Sequence, residues 1–284
     1  MSYANLHLHS VYSDSQFTLL QLVRLGKALG YKALALTDHE TDGGVKDFIT
    51  AANREGLDAL PGVEFYANSF GANFHIVALD FDMDNPSIRA FIKNRCNLME
   101  EHTRKCFERG VQNGFIQGVT WNDVLDDCQD GMWICIEQVF RTLKRKKALS
   151  QIANMAGLRA AAFKGEEAQS WYPAYPSAEE VIGVIRKAGG IAVLAHPMRK
   201  MPYVEKLVEL GLNGIEVSHP SVDDETSKLA LEAAKTFNLY HSGGTDHTGP
   251  MSGCGGNNAI PTPQGITEEE FFIIKERRLD KFDK

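Results

Sequence analysis

The feature that most constrains this chain is a series of short apolar runs, several of which carry or end on a residue able to bind a metal ion. His7 and His9 lie in the first run (Asn5 to His9), Asp38 and His39 follow the second (Ala33 to Thr37), Glu64 lies in the third (Leu60 to Ala67) and His75 in the fourth (Phe74 to Leu79). His196 follows the run from Ile191 to Ala195, and Asp246 and His247 follow the run from Leu239 to Gly243, with Gly214 to Ser218 between them. Short apolar runs alternating with helix-length segments predict βα units and a parallel sheet. Between the first two, Leu19, Leu22, Val23, Leu25, Ala28 and Leu29 recur at helical spacing and Gly30 supplies a stop. In a parallel barrel the C-terminal strand ends converge on one face, so residues far apart in sequence would meet around a single site.

That rhythm breaks from about Asp82 to Ala188, where longer, more polar segments of helical character take over. The expected organisation is a barrel in two parts, residues 1–82 and 189–284, interrupted by a mainly helical substrate subdomain over 83–188. A length of 284 residues with 43% hydrophobic side chains is enough for one large core. The net charge of -7, from 37 acidic against 30 basic groups, argues against a broad grip on a nucleic-acid backbone and favours a small substrate. Cys96, Cys106, Cys128, Cys135 and Cys254 form no Cys-x-x-Cys pair and follow no signal peptide, so they read as reduced thiols in a cytoplasmic protein. The apolar runs are too short to cross a bilayer, and a soluble protein is expected. The oligomeric state is left open.

Alternate strand residues point the same way, so His7-Leu8-His9 puts two imidazoles on one side of its strand. Imidazole and carboxylate without thiolate suit Mn, Fe or Zn, and burying so many titratable groups without a metal would be costly. His102, in the helical region, and His241, inside a strand, read as structural.

Taken in order, His7-Leu8-His9 with Ser13-Asp14, Thr37-Asp38-His39, Gly62-Val63-Glu64, His75 and Ala195-His196-Pro197 resemble the PHP family, named for polymerase and histidinol phosphatase domains. Gly214-Ile215-Glu216-Val217, His219-Pro220-Ser221 and Gly244-Thr245-Asp246 extend the likeness over nearly the whole chain. It is nearest to stand-alone phosphoesterases with a helical insertion. The resemblance implies an α/β fold, a distorted (β/α)7 TIM-like barrel with an inserted helical subdomain, and a cluster of two to three divalent metal ions (Mn2+, Fe2+ or Zn2+). It implies that His7, His9, Glu64 and Asp246 hold the first metal, that Glu64 bridges to a second held by His75 and His196, and that Asp14 and His39 hold the third. Asp38 would orient neighbouring ligands. The chain departs from the family where Asp246-His247-Thr248 replaces Asp-x-His, which makes His247 the candidate last ligand after a one-residue shift, and where Asp14-Ser15 replaces Asp-Gly. In the insertion, Ile136-Glu137-Gln138 stands for Arg-Pro-His and Tyr172-Pro173-Ala174-Tyr175 for Lys-Pro-Ala-Tyr, so two phosphate-binding cations are missing.

These residues together predict a phosphoesterase (hydrolase of phosphate ester bonds) in which a metal-bridging hydroxide attacks phosphorus. Asp246 would accept or shuttle its proton, and His219 would contact the substrate and protonate the leaving alkoxide. Arg199 and Arg141 are the expected phosphate contacts. Lys144, Arg145, Lys146 and Lys147 read as a solvated helix face. The expected substrate is a small phosphorylated metabolite or nucleotide, and the missing cations bring a less charged phosphodiester, even a small cyclic one, beside the monoester. Two other classes share these features: an amidohydrolase acting on carbonyl carbon, and a non-catalytic metal-stabilised module associated with nucleic-acid enzymes.

Overall fold

A computed structural model describes residues 2–148, 154–249 and 263–279. β1 (Ala4–Asn5) leads to α1 (Leu19–Ala28), which opens on a capping box between Thr18 and Gln21 and buries Leu22 and Val23. Gly30, at φ 91°, closes the helix in the left-handed conformation that glycine adopts without strain. β2 (Ala33–Leu36), α2 (Val45–Arg54) and β3 (Asp58–Ser69) follow. Phe70 and Gly71, both at positive φ, then turn the chain straight back into β4 (Ala72–Leu79).

β4 departs from the parallel arrangement the rhythm predicts: it pairs antiparallel with β3, from Gly62 opposite Leu79 to Ser69 opposite Ala72, and antiparallel with β5. A two-residue turn cannot make the long crossover that parallel neighbours need. Because β4 is reversed, its N-terminal half lies beside the C-terminal half of β3, and His75 still reaches the rim where the other strands end.

Next come α3 (Pro86–Gln112), α4 (Trp121–Asp126), α5 (Ile136–Arg145), α6 (Met155–Leu158), a π turn (Arg159–Phe163), α7 (Glu166–Ser170) and α8 (Ala178–Lys187). Phe107, Ile116, Val124, Val139, Leu143 and Leu158 give this region a core of its own. Ile88 and Ile92 at the start of α3 and the apolar face of α8 pack instead on the barrel strands.

The chain returns through β5 (Ile191–Leu194), a 3-10 turn (Met198–Tyr203), α9 (Val204–Glu209), β6 (Gly214–Ser218), α10 (Asp224–Phe237), β7 (Tyr240–Gly243) and α11 (Glu268–Lys275). The seven strands are hydrogen-bonded in sequence order. Beyond β7 the chain comes back to the first strand: Leu6 N–H donates to Gly243 O at 3.0 Å, Asp246 N–H donates to His7 O at 2.9 Å, and Leu8 bridges His247 in parallel. The result is a nearly closed barrel. Its lumen is filled by Leu6, Ala35, Leu60, Leu79 and Val193, and Phe271 and Ile274 of α11 belong to the same core. Cys96, Cys106, Cys128 and Cys135 are free thiols, and Cys254 lies outside the described residues. Among the described residues no helix is long and apolar enough to cross a membrane.

Candidate metal centre

Among the described residues, four sets of donor atoms meet at the barrel rim, each within 4.8 Å: His7, His9, Glu64 and Asp246; Glu64, His75 and His196; His9, Asp14 and His39; and His7, Glu216 and His219. Glu64 is central. Its Oε2 lies 3.4 Å from Nε2 of both His7 and His9 and 3.0 Å from Nδ1 of His39. Its Oε1 lies 2.9 Å from His75 Nδ1 and 3.2 Å from His196 Nε2. Asp246 Oδ1 closes the first set at 3.0 Å from His9 Nε2, and Asp14 approaches His9 Nδ1 at 3.6 Å and His39 Nε2 at 3.9 Å. Leu8, between the two histidines, is buried on the opposite side against α1 and α2, as strand alternation requires.

Buried polar atoms are normally hydrogen-bonded. Among the described residues, His7 Nε2, both ring nitrogens of His9, His39 Nδ1 and Glu64 Oε2 are buried and meet one another only in ion-pair contacts, without a well-formed hydrogen bond. Imidazole and carboxylate donors converge here at 3.0–3.4 Å, a set that could hold metal ions. Burial works against the imidazolium of His7, but Glu216, Glu64 and Asp246 outweigh it and hold its pKa well above the ordinary value. His9 is raised in the same way by Asp246, Glu64 and Asp14 against its burial, and His196 by Glu64 above all. Burial would raise Glu64 and Asp246, yet the surrounding histidines hold both well below the usual carboxylate range. His75, where burial dominates, is lowered.

The backbone at this rim is unusual. Asp246 (φ 47°), His196 (φ 30°) and Glu40 (φ 57°) all occupy the left-handed region, a strain that persists only where surrounding structure enforces it. At Gly244 an added Cβ would come within 2.5 Å of His7 Cβ, so the glycine is what lets the Asp246 segment close on the first strand.

Other side chains hold these donors in place. Glu216, quoted above only as part of a motif, accepts from His7 Nδ1 at 2.7 Å and from the His196 backbone N–H at 2.6 Å. The first bond puts the proton on Nδ1 and turns the Nε2 lone pair toward Glu64 and Asp246. Asp38 accepts from Ser10 N–H and Ser13 Oγ, each at 2.6 Å, so it fixes the loop that carries Asp14 and not a histidine ring. Arg141 has the same task from the other side. Its guanidinium donates to the carbonyls of Val11, Ser13 and Ser15, with Val11 at 2.8 Å, and is thus directed at main chain. Sequence reasoning also missed Glu40, whose buried ion pair with Arg95 of α3, at 2.7 Å, links the segment after His39 to the insertion. No local spacing announces a pair 55 residues apart.

His219 is buried, accepts from Ser221 N–H on Nδ1 at 3.0 Å, and so carries its proton on Nε2, 3.3 Å from Asp246 Oδ2. His247 is buried with its ring against Phe17 at 5.1 Å between centroids, and it joins none of the four donor sets. Arg199 is exposed on the turn after His196. Lys144 to Lys147 are exposed, with Arg145 paired to Asp127. His241 pairs with Glu270 at 2.8 Å, and His102 is buried beside Tyr172; neither belongs to a donor set. Next to Asp14 and His39, a cavity of about 560 Å³ opens between the barrel and the insertion, lined by Tyr66, Trp133, Tyr172 and Tyr175.

The family model described as PHP domain matches residues 5–149, half of the chain, and carries the first six candidate ligands. The chain belongs to the PHP domain family. Among curated proteins it is 27% identical over 252 residues to a 5'-3' exoribonuclease of Haemophilus influenzae, spanning 85% of this chain and 88% of the relative. It is 29% identical to a 3',5'-nucleoside bisphosphate phosphatase of Chromobacterium violaceum (89% and 90% covered) and 25% identical to a phosphoribosyl 1,2-cyclic phosphate 1,2-diphosphodiesterase of Eggerthella lenta (86% and 94%). The fold is shared with a crystal structure from Bifidobacterium adolescentis of a protein inferred to be a metal-dependent phosphoesterase, with a TM-score of 0.78 at 24% identity, covering 100% of this chain and 99% of that one.

Proposed function

We propose that this PHP-family protein is a metal-dependent phosphoesterase that hydrolyses a small phosphorylated metabolite or nucleotide. The observation that carries this is the convergence of unsatisfied buried donor atoms from His7, His9, His39 and Glu64. Two to three divalent ions, Mn2+, Fe2+ or Zn2+, would be held by His7, His9, Glu64 and Asp246, by Glu64, His75 and His196, and by His9, Asp14 and His39. Such ions supply Lewis acidity toward phosphoryl oxygens and a nucleophilic water at neutral pH. Asp246, a carboxylate at ordinary pH and part-exposed at the rim, is placed to take a proton from the attacking water. His219 holds a proton on Nε2 beside it, available to the leaving alkoxide. Arg199 stands exposed outside the rim with no ion pair among the described residues, a candidate for the phosphoryl oxygens. The helical insertion, residues 83–188, would select the substrate.

Three of the relatives are exoribonucleases, so a polynucleotide end competes as substrate, but the net charge of -7 favours a small molecule. Free thiols among the described cysteines agree with a cytoplasmic location. Diester and monoester are both represented among the relatives. Purified, manganese-loaded protein offered p-nitrophenyl phosphate, bis-p-nitrophenyl phosphate and an acyl amide should release nitrophenol from at least one of the first two, and Asp246→Asn should abolish this while the circular dichroism spectrum is retained. Turnover of the amide alone would overturn the reading.

A further inference from the structure

The set of His9, Asp14 and His39 differs from its neighbours in what holds it. A metal-bound histidine normally keeps its second ring nitrogen in a hydrogen bond that fixes the ring, as Glu216 does for His7 at 2.7 Å. Among the described residues His39 has no such support: Glu64 Oε2, 3.0 Å from Nδ1, and Asp14 Oδ2, 3.9 Å from Nε2, are candidate ligands themselves. Aromatic rings take over that task. Tyr66 stacks on the His39 ring at 4.8 Å between centroids and 21° between planes, and Trp133 lies against both, 5.6 Å from His39 and 6.0 Å from Tyr66. Tyr66 belongs to β3 and also meets His75 edge-on at 4.6 Å, whereas Trp133 comes from the insertion, between α4 and α5.

The segment carrying Trp133 is fastened on both sides of this set. Trp133 N–H donates at 2.9 Å to the carbonyl of Tyr12, two residues before Asp14. Thr41, two residues after His39, donates from Oγ1 to the carbonyl of Gly131, and Gln138 Nε2 donates to the carbonyl of Ser13 at 2.7 Å. A Cβ on Gly43 would stand 2.5 Å from Gly131 O, so the segment docks against bare backbone. By contrast, Glu216 of β6 and His219 just beyond it brace His7, His196 and Asp246 from within the barrel.

We infer that the helical insertion completes the third metal site. Trp133 is a positioning residue that holds the His39 ring toward His9 and Asp14, so the third ion binds tightly only while residues 129–135 are docked, and the first two bind without them. This rests on the metal-dependent reading of the centre. Without Trp133 the His39 ring regains freedom about its side-chain bonds, and that freedom must be lost again whenever an ion binds. Such coupling is reciprocal, so the ion in turn holds the segment down. Trp133 and Cys135 also line the cavity beside Asp14 and His39, so undocking alters the third site and the cavity wall together.

Equilibrium dialysis against Mn2+, with the bound metal counted by mass spectrometry, tests this without any substrate. Wild-type protein should take up three ions. Trp133→Leu should weaken the third by about tenfold and leave the first two unchanged, and Trp133→Phe, which keeps a ring, should recover part of the loss. Gly43→Ala disturbs the docking without touching either ring and should produce the same selective weakening. Hydrogen exchange needs no variant: filling the third site of wild-type protein should slow exchange of the Trp133 amide by a similar factor. Wild-type protein that binds no Mn2+ would sink the metal-dependent reading itself. Uptake of only two ions, a weakening spread over all three in Trp133→Leu, an unchanged third-ion affinity in either Trp133→Leu or Gly43→Ala, or an amide exchange rate indifferent to the third ion would overturn this inference alone.

Discussion

His7 donates from Nδ1 to Glu216 and presents Nε2 to Glu64 and Asp246, so a cation and a proton compete for the same lone pair. In the metal-free protein the pKa values of His7, His9 and His196 lie above 6.5. Their charged form and its ion pairs therefore favour folding fully below the ordinary histidine pKa, and this contribution is lost as pH rises through the raised values. Metal binding has the opposite dependence, since each ligating ring must shed its proton. Manganese affinity should rise between about pH 6 and about pH 9, with protons released on binding. Calorimetry in buffers of different ionisation enthalpy measures both, and a pH-independent affinity would contradict the assignment. Glu216→Gln removes the charge behind His7 while keeping an acceptor, and should lower metal affinity about 10- to 100-fold in competition with a chelator. Most ligand candidates were legible because each lies on or just beyond a short apolar run, whereas Asp14 came only from the family resemblance. Glu216 was not, because a glutamate within a strand motif shows its partner only once the barrel has closed.

Among the elements, α3 is tied to the barrel by a buried salt bridge. Arg95 and Glu40 are 5% and 1% exposed, and the pair also gathers Tyr66 N–H onto Glu40 and the Ala174 carbonyl onto Arg95. Removing one partner strands the other charge in the interior. Arg95→Met should therefore destabilise by about 3–5 kcal/mol in urea unfolding, and the double variant Glu40→Gln/Arg95→Met should recover part of this loss, because no bare charge remains. Equal stability of wild type and Arg95→Met would show that the bridge is immaterial. Helix ends and strand runs at this scale could be read from spacing and caps, as for α1 between Thr18 and Gly30. The reversal of β4 could not, because Phe70-Gly71 carries no strong turn signal and the alternation of apolar residues has no direction.

Across the whole molecule, the donor set draws on residues in or just beyond β1, β2, β3, β4, β5 and β7, so any ion held there cross-links most of the barrel. The closure was predictable from ligands recurring at successive strand ends. What local patterns could not convey is that the seam between β7 and β1 is made by Gly243 at the end of β7 and by the loop residues just after it, Asp246 and His247. Binding to the native state alone stabilises it by about 2.7 kcal/mol when free metal stands at 100 times Kd. Stripping the protein with a chelator should therefore lower its melting temperature in a single cooperative transition, and returning manganese should restore it. Gly244→Ala, which forces a methyl group against His7, should both lower the melting temperature of the metal-free protein and shrink the rise on adding metal, because the same seam holds the fold together and places Asp246. An unchanged metal-dependent rise in that variant would separate the seam from the centre and refute the coupling.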